Sequence, residues 1–193
     1  MNRLEAAARI IRQDGLVVYP TDTIYGLGAD AFSDEAIRKV FDAKRRPFSQ
    51  PISVAVNDIE MVFGIGYVDE TALEFIGRFL PGPVTVVIPA RNSVPESLTG
   101  GMGMIGIRIP NHPVALELIG LVDTPITATS ANIHGARDPV TPDECHVPHD
   151  ILLDAGRLPG TPSTVVDLAS RRILRRGAME AEVAAFLREL GGE

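Results

Sequence analysis

The 193-residue sequence has no tryptophan, three tyrosines and seven phenylalanines. Surfaces that hold single-stranded nucleic acid need exposed aromatics on which bases stack, so this composition argues against one. Its single cysteine, Cys145, excludes an internal disulfide and points to a reducing, cytoplasmic setting. No apolar run approaches the roughly 18–20 residues of a membrane-spanning helix, and the N-terminus shows no signal-like pattern. The formal net charge of −7 is the wrong sign for a generic nucleic-acid coat. Nor is there a P-loop signature, so any nucleotide must be held in another way.

What is present is ordinary for a soluble globular domain: 45% hydrophobic and 22% charged residues, which leaves disordered and fibrous classes behind. The length predicts one domain over residues 1–193, burying roughly 70% of its unfolded-chain surface. Eighteen glycines and 15 prolines suit tight turns that bring backbone close to a ligand.

Periodicity predicts a helix over 2–14, a buried strand over Leu16–Tyr19 closed by Pro20, and a helix from a Ser33 cap to about Lys44. Ile52–Val56 reads as a strand, Asp69–Leu80 as a helix stopped by Pro81-Gly82-Pro83, and Val84–Ile88 as a strand. The second half repeats that grammar. Strands are predicted at Ile105–Ile109, Ile126–Ala128, Ile151–Leu153, Val165–Leu168 and Ile173–Arg175. Helices are predicted at Pro113–Val122 and Glu180–Leu190, the latter stopped by Gly191-Gly192, and 133–150 reads as a solvated loop. Strands alternating with helices, some antiparallel late in the chain, give the α/β (α+β) class: a twisted, open, mixed sheet flanked by helices.

Two motifs mislead. Gly26-Leu27-Gly28-Ala29-Asp30-Ala31 fits the dinucleotide fingerprint, but the next helix starts only at Ser33 and basic residues stand where an acid is required. Gly101 to Gly106 also fits but leads into a strand. Cys145, His146 and His149 cluster, yet structural zinc wants four ligands and there is no second cysteine, so no metal site is assigned.

The chemistry lies in small polar clusters at strand ends, where open α/β sheets bind ligands. They are Pro20-Thr21-Asp22-Thr23-Ile24-Tyr25-Gly26-Leu27-Gly28, Lys44-Arg45-Arg46-Pro47, Pro81-Gly82-Pro83-Val84-Thr85, Arg108-Ile109-Pro110, Ser130-Ala131-Asn132, Ser163-Thr164-Val165-Val166-Asp167 and Arg175-Arg176-Gly177. Each alone is more often a turn, a cap or a solvated face. Together and in this order, over about residues 5–178, they resemble the YrdC family in its threonylcarbamoyl-AMP synthase branch, in the short single-domain form.

The resemblance implies a YrdC-like fold with a concave positive groove. It implies a nucleotidyl transfer in which L-threonine, bicarbonate or CO2 and ATP, with Mg2+, form L-threonylcarbamoyladenylate and pyrophosphate. A downstream transferase complex would then modify tRNA. Carried over residue by residue, it assigns Lys44 and Arg46 to catalysis at the phosphates. It places Arg46, Gln50, Met104, Ser130, Asp138 and Arg175 at ATP. It places Thr23, Arg108, Ala128 and Ser163 at threonine. Met104 would serve through its backbone, and the acid of Asp138 fits poorly beside phosphates. Some members carry a histidine touching threonine where this sequence has Ala55. Two other readings stay open: a YrdC-like relative transferring carbamoyl groups to another acceptor, and an RNA-binding module. The second is motivated by seven of the 18 basic residues lying in 44–46 and 171–176, and it predicts weak, salt-dependent RNA binding.

Overall fold

The structure, a computed structural model, describes residues 2–191. Helix α1 (Arg3–Ile11) begins at a reciprocal cap: the Glu5 N–H donates to Asn2 Oδ1 at 2.8 Å and the Asn2 N–H to Glu5 Oε2 at 2.9 Å. Strand β1 (Val17–Tyr19) then pairs antiparallel with β2 (Gly26–Gly28). Helix α2 (Asp34–Lys44) is capped by Ser33, whose Oγ accepts the Ala36 N–H at 3.2 Å. It ends at Arg45 in the left-handed region, φ 52°, which turns the basic segment sharply away from the helix axis. Next come β3 (Val54–Ala55), α3 (Ile59–Ile65), α4 (Glu70–Phe79), β4 (Val84–Pro89) and α5 (Glu96–Thr99). The second half carries β5 (Met104–Arg108), α6 (Pro113–Val122), β6 (Ile126–Thr127), β7 (Thr129–Ser130) and a single 3-10 turn at Pro142–Glu144. It closes with β8 (Ile151–Leu152), β9 (Thr164–Asp167), β10 (Arg172–Arg175) and α7 (Glu180–Gly191).

The mixed α/β class holds, with the strands divided between two mixed sheets. One has the order β7-β2-β1-β8 and the other β10-β9-β4-β5-β3-β6. The larger sheet packs its apolar residues against α2, α4 and α7, where Phe75, Phe79 and Phe186 meet with ring centroids 4.6–5.7 Å apart. A second core joins α1 and α6 through Ala7, Ala8, Ile11, Leu118, Ile119 and Val122, under Tyr19 and Ile126. Among the described residues no helix is long and apolar enough to cross a membrane.

Most predicted elements lie within one or two residues of their observed ends, the usual latitude for element boundaries. Five were not foreseen: β2, α3, α5, β7 and the 3-10 turn at Pro142–Glu144. Strand β2 is Gly-Leu-Gly, a composition that signals a turn, and tertiary packing overrides it. A Cβ on Gly26 or Gly28 would lie 3.0 Å from the Tyr19 ring, so the glycines let β2 lie flat across that ring. The same fact disposes of the dinucleotide fingerprint, since these glycines are in a strand. The 133–150 segment is a loop, as expected, but it is not uniformly solvated: Cys145 and Val147 are buried. Burial pushes the Cys145 thiol up to about 11, which makes it a core residue with little thiolate. Helix α7 continues through Gly191; the predicted stop at Gly192 lies outside the described residues.

Candidate active site

Where the two sheets meet they enclose a cleft of about 150 Å³. Its floor is the small-residue face of the larger sheet. Ala55 stands in register beside Arg108, and Val54 beside Ile107. Strand alternation puts Ser53 and Ala55 on one face of β3. Gly106 keeps the floor open, since a Cβ there would lie 2.4 Å from Ser53 Oγ and 3.3 Å from Thr85 Cγ2. The far wall comes from the Thr21–Gly26 segment and from β7, whose Ser130 pairs with Gly26.

Arg108 is the most buried cation of this lining, with 7% of its surface exposed. Its Nη2 donates to Asp22 Oδ1 at 2.5 Å, Nη1 to Thr23 Oγ1 at 2.8 Å and Nε to the Gly82 carbonyl at 3.2 Å. Burial lowers its pKa and the Asp22 carboxylate opposes that shift. Thr23 is itself held by Thr21, their hydroxyl oxygens 2.9 Å apart. On the opposite side, Ser163 Oγ lies 3.0 Å from Thr85 Oγ1. Ser163 is also gripped by Arg175, whose Nη2 donates to Oγ at 2.8 Å and to the Ser163 carbonyl at 2.9 Å. Arg46 projects from the turn after α2. Its Nη2 donates to the Pro51 carbonyl at 2.9 Å, while Nε is buried with no partner among the described residues. A buried unpaired donor of this kind is costly unless something in the site accepts from it.

Lys44 sits elsewhere than expected. Its side chain is enclosed and does not line the cleft. Its Nζ donates to the Ser130 carbonyl, to the Asn132 carbonyl at 2.8 Å and to Asn132 Oδ1 at 3.0 Å. Three acceptors use the three protons of an ammonium. Burial pushes its pKa down to about 8; the Arg46 charge adds to the fall and Asp138 opposes it. In this state Lys44 is a strut under the Ser130-Ala131-Asn132 loop. Asn132 completes the network, donating to the Ala136 carbonyl at 2.6 Å and to Asp138 Oδ1 at 3.3 Å, while Ser130 Oγ donates to Asn132 Oδ1 at 2.6 Å.

Of the residues expected at a site, Thr23, Arg46, Arg108, Ala128, Ser130, Ser163 and Arg175 line this one cleft. Gln50, Met104 and Asp138 do not. Gln50 lies in the turn after Arg46, its N–H on the Pro47 carbonyl at 3.1 Å. Met104 opens β5 opposite Pro89. Asp138 lines an adjoining pocket of about 330 Å³ with Arg137 and Glu144. Thr85, Ser53, Thr21 and Tyr19 line the cleft without having been assigned to it. Small polar residues recurring within strands were the available signal for Ser53 and Thr85; nothing in the sequence marks Tyr19, whose hydroxyl donates to the Thr127 carbonyl at 3.1 Å.

Three guanidiniums and several hydroxyls, with no carboxylate among the described residues of the lining, define the class: a mixed α/β protein with a cationic, hydroxyl-rich cleft between its two sheets, chemistry that suits a small anionic ligand. The comparisons make this specific. The family model described as Telomere recombination (Sua5/YciO/YrdC) matches residues 9–177, and the chain belongs to that family. It is 37% identical over 190 residues to the threonylcarbamoyl-AMP synthase of Pyrococcus abyssi, covering 93% of this chain and 55% of that protein. It is 36% identical over 176 residues to a putative threonylcarbamoyl-AMP synthase of Methanocaldococcus jannaschii, covering 89% and 83%. The crystal structure of P. abyssi Sua5 complexed with L-threonine superposes with a TM-score of 0.87 at 36% identity, covering 90% of this chain and 54% of that one. The chain thus spans about half the length of the Pyrococcus protein.

Proposed function

We propose that this protein is an enzyme, a nucleotidyltransferase that makes L-threonylcarbamoyladenylate and pyrophosphate from L-threonine, bicarbonate or CO2, and ATP. The observation that carries the reading is the meeting of Arg108, Thr23 and Ser163 with Arg46, Arg175 and Ser130 in one cleft. That arrangement offers a buried cation for an amino-acid carboxylate beside two less buried guanidiniums, Arg46 and Arg175, for phosphates. Relatives named as threonylcarbamoyl-AMP synthases, and a neighbour holding L-threonine, support the same assignment.

In the proposed chemistry the threonine carboxylate docks on Arg108, as a guanidinium–carboxylate pair. The neutral amine attacks CO2 and releases a proton, giving a carbamate. A carbamate oxygen then attacks the α-phosphorus, and the bond to the β-phosphate breaks as pyrophosphate leaves. Negative charge grows on the phosphoryl oxygens, where Arg46 and Arg175 are the available cations of the lining. Positioning does most of the work. Lys44 contributes by holding Ser130 in place. Mg2+ belongs to the MgATP substrate in this scheme, because no described residue of the lining is a carboxylate that could hold the ion apart from the triphosphate. The adenylate would be consumed by a transferase complex acting on tRNA. Pyrophosphate release from ATP, assayed with L-threonine and bicarbonate omitted in turn, tests the proposal; release that persists without threonine would refute it.

A further inference from the structure

Asp22 stands behind the cleft. It does not line it, yet its carboxylate makes the shortest contact that Arg108 has. The same oxygen, Oδ1, also accepts the Asn111 N–H at 3.1 Å, so Asp22 ties the Thr21–Thr23 segment to the turn that follows β5. Oδ2 is buried with no partner among the described residues. A guanidinium carries five N–H groups. Asp22, Thr23 and Gly82 each take one, on Nη2, Nη1 and Nε, so a second N–H on each terminal nitrogen has no acceptor among the described residues. A carboxylate in the cleft can accept from these remaining N–H groups.

We propose that Asp22 is a positioning residue for amino-acid binding, acting through Arg108. It fixes the plane of the guanidinium so that the remaining N–H groups serve the substrate carboxylate. It also offsets the charge of a cation that would be costly to bury alone. Asp22 itself touches no substrate. The inference rests on the proposed reading of the cleft as an amino-acid site.

The experiment measures KM for L-threonine, KM for ATP and kcat by pyrophosphate release, with calorimetric titration of L-threonine, on Asp22→Ala, Asp22→Asn, Arg108→Ala and the double variant Asp22→Ala/Arg108→Ala. Asp22→Ala is expected to raise KM for threonine by about tenfold or more, the scale of one lost charge-assisted contact. KM for ATP should stay within about twofold, a split that general loss of structure does not produce. Asp22→Asn keeps an acceptor for Nη2 and the Asn111 N–H and should lose less. In the Arg108→Ala background, Asp22→Ala should add less than about twofold, because residues acting through one group are not additive. Threonine KM unchanged in folded Asp22→Asn and Asp22→Ala proteins would overturn the proposal. So would threonine and ATP KM rising together, or the full Asp22→Ala effect persisting without Arg108. If Asp22→Ala does not fold, Asp22→Asn decides. A wild-type protein that binds no L-threonine overturns the reading of the site, and this proposal with it.

Discussion

Replacing Lys44 by methionine separates two roles that the sequence could not tell apart: a cation on the phosphates, or a strut beneath the loop that shapes the site. Methionine is close in length to lysine and leaves little void, so the change removes donors and charge and little else. Three bonds are lost, to the carbonyls of Ser130 and Asn132 and to Asn132 Oδ1. The amide oxygen keeps the Ser130 hydroxyl at 2.6 Å, so only the two carbonyls are orphaned, at about 1–3 kcal/mol each. Relief of the buried ammonium returns part of that, which leaves a net loss of about 2–4 kcal/mol by the same accounting. At roughly 2–4 °C per kcal/mol for a chain of this size, the melting midpoint should fall by about 5–15 °C. Scanning calorimetry reads the midpoint, and hydrogen exchange at the Ala131 and Asn132 amides should show the loop loosening first. A midpoint within about 2 °C of wild type, together with a large loss of kcat, would refute the strut and return Lys44 to the phosphates.

Arg46→Ala should lower kcat by about 10²–10³, the cost of losing one electrostatic stabiliser, with threonine affinity unchanged; Arg46→Lys should recover only part, because a point charge cannot reproduce the planar fork. Near-normal steady-state kinetics in a folded Arg46→Ala protein would remove this residue from the mechanism. Gly106→Ala should destabilise by about 1–3 kcal/mol in urea titrations and impair threonine binding, since its methyl would press within 2.4 Å of Ser53 Oγ; a wild-type midpoint would mean that the cleft floor yields. As pH rises through about 8, Lys44 loses a proton and has two donors for three acceptors, so KM for ATP should rise, an effect absent in Lys44→Met. Stability should move the other way across that window: the folded pKa lies below the ordinary 10.5, the unfolded chain holds the extra proton in between, and the lysine's contribution therefore rises with pH.

The limits of the sequence are physical and can be placed residue by residue. Helices α1, α2, α4 and α6 carry apolar periodicity or a cap, signals that survive without tertiary context. Strand β2 does not, because Gly-Leu-Gly is extended only where the Tyr19 ring lies across it. The site clusters were legible as strand-end motifs, and Thr23, Arg108, Ser130 and Ser163 do converge on one cleft. Which cations face that cleft was not legible. Lys44 and Arg46 are two apart at a helix end, but the left-handed turn at Arg45 sends one side chain under the Ser130 loop and the other into the open site. A motif records spacing along the chain; the backbone dihedral between its members decides where each one points. Asp22 was hidden for the same reason, since a carboxylate within a Thr-Asp-Thr run gives no sign that its partner lies 86 residues away.

The cleft also shows how a chain of net charge −7 can present a site for anions. Each of its three guanidiniums has a carbonyl partner, Pro51 for Arg46, Gly82 for Arg108 and Ser163 for Arg175, and Arg108 is held more closely by the Asp22 carboxylate, at 2.5 Å. Carbonyl dipoles orient a cation without cancelling its charge, so Arg46 and Arg175 keep theirs for an incoming carboxylate or phosphate. The two acids close to the site are kept off the lining. Asp22 sits behind Arg108, and Asp138 lies beyond Asn132. Because the acceptors are in place before any ligand arrives, little reorganisation is left for the moment of reaction, which is the condition under which fixed charges contribute most. It follows that Asp22 and the carbonyl-bearing turns act by holding the arginines in place, although none of them need touch a reacting atom.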